Sequence, residues 1–231
     1  MKERLIKLSE ELTNTFGAPG YEDEVIEKIK SHLDFLSLER DSINNLFAGL
    51  KERDSKKPTV ALDCHTDEVG FIVENINKNG SISFLPLGGW YVGNVPASSV
   101  IVKNEKGEKY LGTVTSKPPH FMTDEEKSRL PKMSELTTEL YGIEVGNPIV
   151  PDVKFTYDEK IGVMRAKAFD NRLGCVASIE VLSSLKDKNC NVNVVGAFAS
   201  QEEVGLRGAQ VAAYKVKPDF AIVFEGSPAD D

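Results

Sequence analysis

The chain has 231 residues, of which 40% are hydrophobic and 28% are charged. This length is sufficient for one large domain or two modest ones, and the composition is ordinary for a globular protein. The formal net charge of −8, with no cluster of Lys and Arg to offset it, argues against a nucleic-acid partner. Because no apolar run approaches the roughly 20 residues that span a bilayer, no membrane partner is expected.

The N-terminus and the cysteines bear on localisation. Residues 1–5 carry charged side chains and no apolar core, so no signal peptide is predicted. Cys64, Cys175 and Cys190 are odd in number and lack Cys-x-x-Cys spacing, which indicates reduced thiols. We therefore expect a cytoplasmic protein.

Two amphipathic helices are predicted at the start of the chain. Apolar residues recur at helical spacing over residues 2–15, and a turn rich in glycine follows. A second helix is predicted over residues 22–35. Short strands are expected near residues 36–41 and 46–50, ahead of a polar turn.

A buried strand predicted over residues 59–63 leads to His65 and Asp67. A His-x-Asp pattern after a strand is typical of a metal site, because the imidazole binds the ion through one nitrogen while a nearby carboxylate fixes the orientation of the ring. The alternative interpretation is a polar strand end with no ligand role.

The middle of the chain, residues 70–160, differs from the rest in being rich in strands. Two hairpins are predicted there, over residues 71–87 and 100–115, each with a glycine-containing turn. Many short strands and few helices indicate a small β-barrel or sandwich inserted into an α/β domain. The α/β domain then comprises residues 1–69 and 161–231.

Asp170 lies where the chain is predicted to turn from a strand into a helix. Residues 161–166 are expected to return the chain to the main sheet, and the helix is expected to run to about residue 185. Asp170 is a candidate metal ligand at this point. The alternative is that it caps the helix, since Asp is favoured at the N-cap.

Glu202 and Glu203 lie between a strand predicted over residues 191–196 and a helix predicted over residues 206–214. They are therefore placed at the carboxyl end of a strand, where open α/β sheets bind their ligands. Two close carboxylates repel each other unless one is protonated or a cation lies between them. The alternative is a pair of solvated glutamates.

The last predicted strand, residues 219–224, is followed by Glu225. Four predicted strand ends thus offer a ligand-type residue: His65, Asp170, Glu203 and Glu225. Imidazole and carboxylate groups suit zinc, cobalt or manganese, and two ions that share a bridging carboxylate are the usual arrangement in two-metal hydrolases.

Three segments, in order, resemble motifs of the M42 family of cocatalytic metallo-aminopeptidases. They are LDCHTDEVGF at residues 62–71, AFDNR at residues 168–172 and QEEVGLRGA at residues 201–209. Within the family, FEGSPADD at residues 224–231 is most similar to the glutamyl aminopeptidases of lactic-type bacteria. The resemblance implies a mixed-sheet, phosphorylase/hydrolase-like α/β exopeptidase domain. It also implies that the inserted β segment, residues 70–160, is a small β-barrel that mediates dimerisation.

The resemblance implies a site for two divalent metal ions, zinc or cobalt. His65 and Glu225 would bind one ion, Glu203 would bind the other, and Asp170 would bridge the two. In many family members an aspartate stands at the position of Glu225.

The resemblance also implies the catalytic roles. Glu202 would be the general base that takes a proton from the attacking water, and Asp67 would orient His65. In the exopeptidases that the chain resembles, the bridging aspartate is often followed by a cis peptide bond, so the Asp170–Asn171 bond is expected to be cis.

The implied activity is removal of N-terminal residues, Glu or Asp, from peptide substrates. Copies of the chain are expected to form dimers, which in this family commonly build a hollow dodecamer. The family's last metal ligand is a histidine that would lie beyond residue 231, so the chain is expected to be an N-terminal portion that lacks one ligand. Two alternatives stay open: a catalytically incomplete chain that only associates through its β insert, and a related two-metal carboxypeptidase or deacylase.

Overall fold

The structure, a computed structural model, describes residues 1–140 and 142–227. The chain folds into two compact units, one comprising Met1–Glu68 with Lys154–Asp231 and the other comprising Val69–Val153. Within the described residues, no helix is long and apolar enough to cross a membrane.

The regular elements are numbered in chain order. The helices are α1 (Lys2–Asn14), α2 (Asp23–His32), α3 (Asp124–Lys127), α4 (Phe169–Leu185) and α5 (Arg207–Val216). The strands are β1 (Leu38–Arg40), β2 (Leu46–Ala48), β3 (Thr59–His65), β4 (Gly70–Ile76), β5 (Ser81–Leu87), β6 (Ser99–Lys103), β7 (Lys109–Thr113), β8 (Thr138–Glu139), β9 (Pro148–Pro151), β10 (Thr156–Asp158), β11 (Val163–Arg165), β12 (Asn193–Ala199) and β13 (Phe220–Val223).

The first unit is built on a five-stranded mixed sheet with the order β1-β2-β12-β3-β13. The strands β12, β3 and β13 run parallel, with Asn193 opposite Thr59 and Ala199 opposite His65. The strands β1 and β2 are antiparallel to their neighbours. Because β12 and β13 flank β3 and point the same way, the carboxyl ends of all three lie at one edge of the sheet.

Helices cover both faces of this sheet over β2, β3 and β12, whereas β13 at one edge is exposed. The apolar stripes of α1, α2 and α4 pack on one face, where Leu12, Ile26 and Ile179 are fully buried. On the other face α5 contributes Ala212 and Val216 to a smaller core. A parallel sheet needs both faces covered, because its central strands consist almost entirely of apolar residues.

The strand β11 does not join the main sheet, so the prediction that residues 161–166 return the chain to that sheet is wrong. It pairs antiparallel with β10 in a separate two-stranded sheet. The connection is short, and the Gly162 amide donates to the Asp158 carbonyl over 2.8 Å. Closing so short a loop costs little entropy, and this favours the local partner over a distant strand.

The second unit is a six-stranded antiparallel sheet with the order β7-β6-β9-β4-β5-β8. A bridge between Thr115 and Thr137 joins its two outer ends, so the sheet curls into a nearly closed barrel. The interior is apolar, with Phe71, Ile82 and Val102 buried. The predicted α/β fold with an inserted, barrel-like β segment is therefore confirmed.

Candidate metal centre

Four chain segments meet at the carboxyl edge of the parallel strands. His65 is the last residue of β3, and Glu202 and Glu203 lie in the loop that follows β12. Glu225 follows β13, and Asp170 lies near the start of α4. Strand ends at a shared edge of the sheet explain why residues so distant in sequence come together.

His65 is buried and faces two carboxylates through one ring nitrogen. Its Nε2 lies 3.0 Å from Oδ1 of Asp170 and 3.8 Å from Oε1 of Glu225. One potential ligand atom from each of the three residues lies within 4.8 Å of the others. Asp170 and Glu225 are about half exposed, at 54% and 48%, so the group is open to solvent on one side.

The two loop glutamates approach the same imidazole. Nε2 of His65 lies 3.8 Å from Oε2 of Glu202, and ligand atoms of His65, Glu202 and Glu203 also lie within 4.8 Å of one another. Both glutamates thus reach the site, and His65 belongs to both groups. The side chain of Glu202 is 25% exposed, which leaves it accessible to a substrate.

The fully buried Asp67 connects the histidine to the loop. Nδ1 of His65 lies 3.2 Å from the carbonyl oxygen of Asp67 and 3.4 Å from its Oδ1. Because a carbonyl only accepts hydrogen bonds, Nδ1 carries a proton, and Nε2 is the nitrogen available to a cation. The carboxylate also accepts the amide protons of Glu202 and Glu203, each over 3.0 Å.

The start of α4 is irregular where Asp170 lies. The Asp170–Asn171 peptide bond is cis, as predicted, and both residues have non-helical backbone angles. The N-cap of the helix is Ala168, so the alternative that Asp170 caps the helix is wrong. Nδ2 of Asn171 donates to the Phe224 carbonyl over 2.6 Å and thereby ties α4 to the segment that carries the last carboxylate.

Gly226 allows the segment after β13 to approach Asp170 closely. A Cβ atom at this position would lie 2.9 Å from Cγ of Asp170, closer than real Cβ contacts come. The similarity to glutamyl aminopeptidases involved residues 224–231, of which residues 228–231 lie outside the described part of the chain.

Several acidic side chains of the site lie close to a single imidazole, and this affects their pKa values. Burial and the nearby carboxylates of Asp67 and Glu202 raise the pKa of Glu203 to about 7. Burial also raises the pKa of Glu225. Burial alone would lower the pKa of His65, but its contact with Asp67 and the charge of Glu202 raise that pKa to about 10. The acids hold their protons because they are partly buried and close to other carboxylates, and the same carboxylates favour the charged imidazole.

This donor set fits divalent cations. It combines one imidazole nitrogen, whose other nitrogen is held by a buried acid, with four carboxylates. Such a mixture suits zinc, cobalt or manganese. An open cleft of about 560 Å³ borders the group and is lined by Phe169, Asp170, Leu173, Phe224 and Glu225, among others.

Two features around the site have no predicted role. Glu22, at the start of α2, is buried and accepts the amide proton of Gln201, the residue before the two glutamates. Glu68, Lys167 and Arg172 form a buried ion cluster. Glu68 and Arg172 lie within quoted motifs, but spacing alone does not distinguish a buried ion pair from a ligand. Glu22 carries no local signal beyond that of a residue at the start of a helix.

Comparison with known families and curated proteins shows which family the chain resembles over most of its length. The M42 glutamyl aminopeptidase family matches residues 44–231. A glutamyl aminopeptidase of Lactococcus lactis is 29% identical over 233 residues, a match that covers 95% of this chain and 66% of that protein. The chain therefore spans about two thirds of the length of this relative.

Solved structures show the same similarity. The crystal structure of a TET aminopeptidase from a marine sediment archaeon of the Thaumarchaeota superposes with a TM-score of 0.92 at 32% identity, covering all of this chain and 67% of that one. The Pyrococcus horikoshii TET1 peptidase, which can assemble into a tetrahedron or a large octahedral shell, superposes with a TM-score of 0.88 at 25% identity, covering 98% of this chain and 70% of that one.

Proposed function

The chain belongs to the M42 peptidase family, and on that premise we propose that it is a metal-dependent aminopeptidase. The observation that carries this proposal is that His65 belongs to two groups of potential metal ligands. In each group, the ligand atoms of the imidazole and two carboxylates lie within 4.8 Å of one another. A structural ion pair would not need four acids around one imidazole, whereas a site for two cations would.

In this proposal each residue has one role. His65 and Glu225 would hold one divalent ion, zinc or cobalt, Glu203 would hold a second, and Asp170 would lie between them. Bound ions would supply Lewis acidity for the scissile carbonyl and lower the pKa of the attacking water.

Proton transfer is assigned to Glu202. Its carboxylate lies beside the proposed ligands and is partly exposed, so it would accept a proton from the attacking water and pass it to the leaving amine. Asp67 would keep the imidazole in the correct tautomer through Nδ1 and would hold the Glu202 amide.

We propose that the substrates are peptides with N-terminal Glu or Asp. Similarity to a glutamyl aminopeptidase supports this preference. We further propose that copies of the chain associate, which the assembly of a similar TET peptidase supports. We place this association in the Val69–Val153 unit. Three free cysteines suit a cytoplasmic location.

The test compares Glu202→Gln with Glu203→Gln. Release of p-nitroaniline from glutamyl, aspartyl and leucyl p-nitroanilides is measured after loading with zinc or cobalt, and bound metal is measured by equilibrium dialysis. Glu202→Gln should reduce turnover by about a hundredfold or more, the usual range for a lost general base, with bound metal unchanged. Glu203→Gln should instead lower metal occupancy.

Three outcomes would contradict the proposal. Equal metal loss in the two variants would show that the roles of the two glutamates, base and ligand, are wrongly assigned. Hydrolysis of N-acetylated glutamyl substrates, with none of the free-amine substrates cleaved, would favour a carboxypeptidase or deacylase. A chain that binds metal and associates but cleaves nothing would match the assembly-only alternative.

A further inference from the structure

Glu22 is a buried acid outside the proposed ligand set, and it contacts three separate segments. Its Oε1 accepts the amide proton of Gly20 over 2.7 Å and that of Gln201 over 3.1 Å. Its Oε2 accepts a proton from Nδ2 of Asn44 over 3.1 Å. The side chain is completely buried, so these hydrogen bonds do not compete with water.

The loop that carries Glu202 and Glu203 depends on such contacts. Among the residues that the structure describes it pairs with no strand, and Gln201 adopts a left-handed backbone with φ of 53°, which a non-glycine residue rarely does without support. Three consecutive amides of this loop donate to buried carboxylates, that of Gln201 to Glu22 and those of the two glutamates to Asp67. Hydrogen bonds to ionised acceptors are roughly twice as strong as neutral ones.

Asn44 fixes the orientation of Glu22. Oδ1 of Asn44 accepts hydrogen bonds from Arg40, at 2.5 Å from Nη2 and 3.2 Å from Nε, so Nδ2 must face the glutamate. A glutamine at position 22 would place an amide donor against that Nδ2 donor. Only a carboxylate can accept from all three partners at once.

We infer that Glu22 is a positioning residue that holds the loop in the conformation from which Glu202 and Glu203 reach the site. This inference rests on the proposed function for the roles of those two glutamates. The competing role is purely structural, in which Glu22 only completes the turn from Gly20 into α2. The two roles predict different results when Glu22 is replaced. Only the positioning role predicts that the loop at Gln201 becomes less protected from hydrogen exchange.

The experiment uses the full 231-residue chain and three variants. Glu22→Ala removes all three contacts, whereas Glu22→Gln keeps one oxygen acceptor. Glu52→Ala is the matched control, because Glu52 also accepts a backbone amide, that of Ser37 over 2.7 Å. The first measurement is amide hydrogen exchange of residues 200–206 in metal-free protein. The second is Co²⁺ affinity, from the absorption spectrum of the bound ion.

In Glu22→Ala, exchange of the loop should accelerate about tenfold or more, the effect of losing one hydrogen bond to a charged group. Co²⁺ affinity should fall with it. Glu22→Gln should give intermediate values on both measurements, and Glu52→Ala should match the wild type. If Glu22→Ala unfolds, the graded response of Glu22→Gln decides the matter in its place.

Loop exchange that is unchanged in both Glu22 variants would overturn the inference, and so would unchanged Co²⁺ affinity in a variant with a loosened loop. A wild-type chain that binds no Co²⁺ would instead contradict the proposed function. In that case the exchange measurement, which needs no metal, still decides whether Glu22 holds the loop.

Discussion

Protonation of Glu203 links the site to the stability of the protein. Its pKa is raised to about 7 in the folded chain from an ordinary value of 4.5. The folded state therefore binds this proton more tightly than the unfolded state does. The resulting stabilisation is present below the ordinary pKa and is lost as pH rises toward 7. The pKa of His65 is also raised, from 6.5 to about 10. The stabilisation that its proton provides is therefore lost at higher pH, as pH rises from 6.5 to about 10.

Metal-free Glu203→Gln should therefore be more stable than the wild type at pH 8. Gln mimics the protonated acid, so the difference in melting temperature should be smallest near pH 5 and should grow as the wild-type carboxylate ionises. Thermal unfolding in chelator at several pH values measures this. A wild type that is the more stable protein at pH 8 would show that Glu203 is stabilised as an anion.

Among the elements, α4 is fastened to α1 by Arg172. This side chain is completely buried, and its Nη1 donates to the carbonyls of Leu12 over 2.7 Å and Thr15 over 3.1 Å. The last carbonyls of a helix lack the usual amide donor four residues on, and Arg172 supplies strong charged donors to two of them. It does so alongside the Thr15 amide at Leu12 and Nζ of Lys167 at Thr15. Its Nη2 lies 3.5 Å from Glu68, close to the proposed site.

Arg172→Met should destabilise the fold by about 3 kcal/mol or more, as breaking a buried ion pair usually does. Arg4→Met is the matched control, since Arg4 also joins α1 to α4 through Glu180 over 3.3 Å but is half exposed. Its loss should cost under about 1 kcal/mol. Urea unfolding measures the free energy of unfolding of both variants. Similar losses in the two would contradict the expectation that the buried arginine contributes more stability than the exposed one.

The strand ends and the motif residues could be predicted from the sequence. The buried residues that hold these segments in position could not. His65, Glu203 and Glu225 follow apolar runs that form strands, and this local signal is independent of how the chain folds. Asp170 lies instead near the start of α4 and was indicated by its motif alone. By contrast, Glu22 acts on a loop far along the chain, and its contact depends on packing between α2 and the sheet. Pairing of β11 with β10 was likewise missed, because strand propensity does not specify a partner.

At the scale of the molecule, the second unit exposes several large apolar side chains. Exposed side chains there include Leu111 at 66% and Phe121 at 74%. If copies of the chain associate through this unit, we expect side chains of this kind to lie in the contact. This exposure supports the proposed association through the Val69–Val153 unit.

The double variant Leu111→Glu, Phe121→Glu should shift the protein toward monomer in light scattering, because it places charges on that surface. Val211→Glu, at an exposed position on α5 in the first unit, is the control and should leave the mass unchanged. A monomeric wild type at high concentration would contradict self-association.

The separation of the site residues along the chain has a consequence for how quickly the protein matures. His65 and Asp170 are 105 positions apart, and Asp67 and the Glu202 amide are 135 apart. Contacts of such long range form slowly, since their closure entropy must be paid before they stabilise anything. Local helices should therefore form well before the site can capture an ion. After dilution from denaturant, the Co²⁺ absorption band should lag behind the far-ultraviolet circular dichroism. A newly made chain therefore passes through a period in which its helices have formed but it cannot yet hold metal.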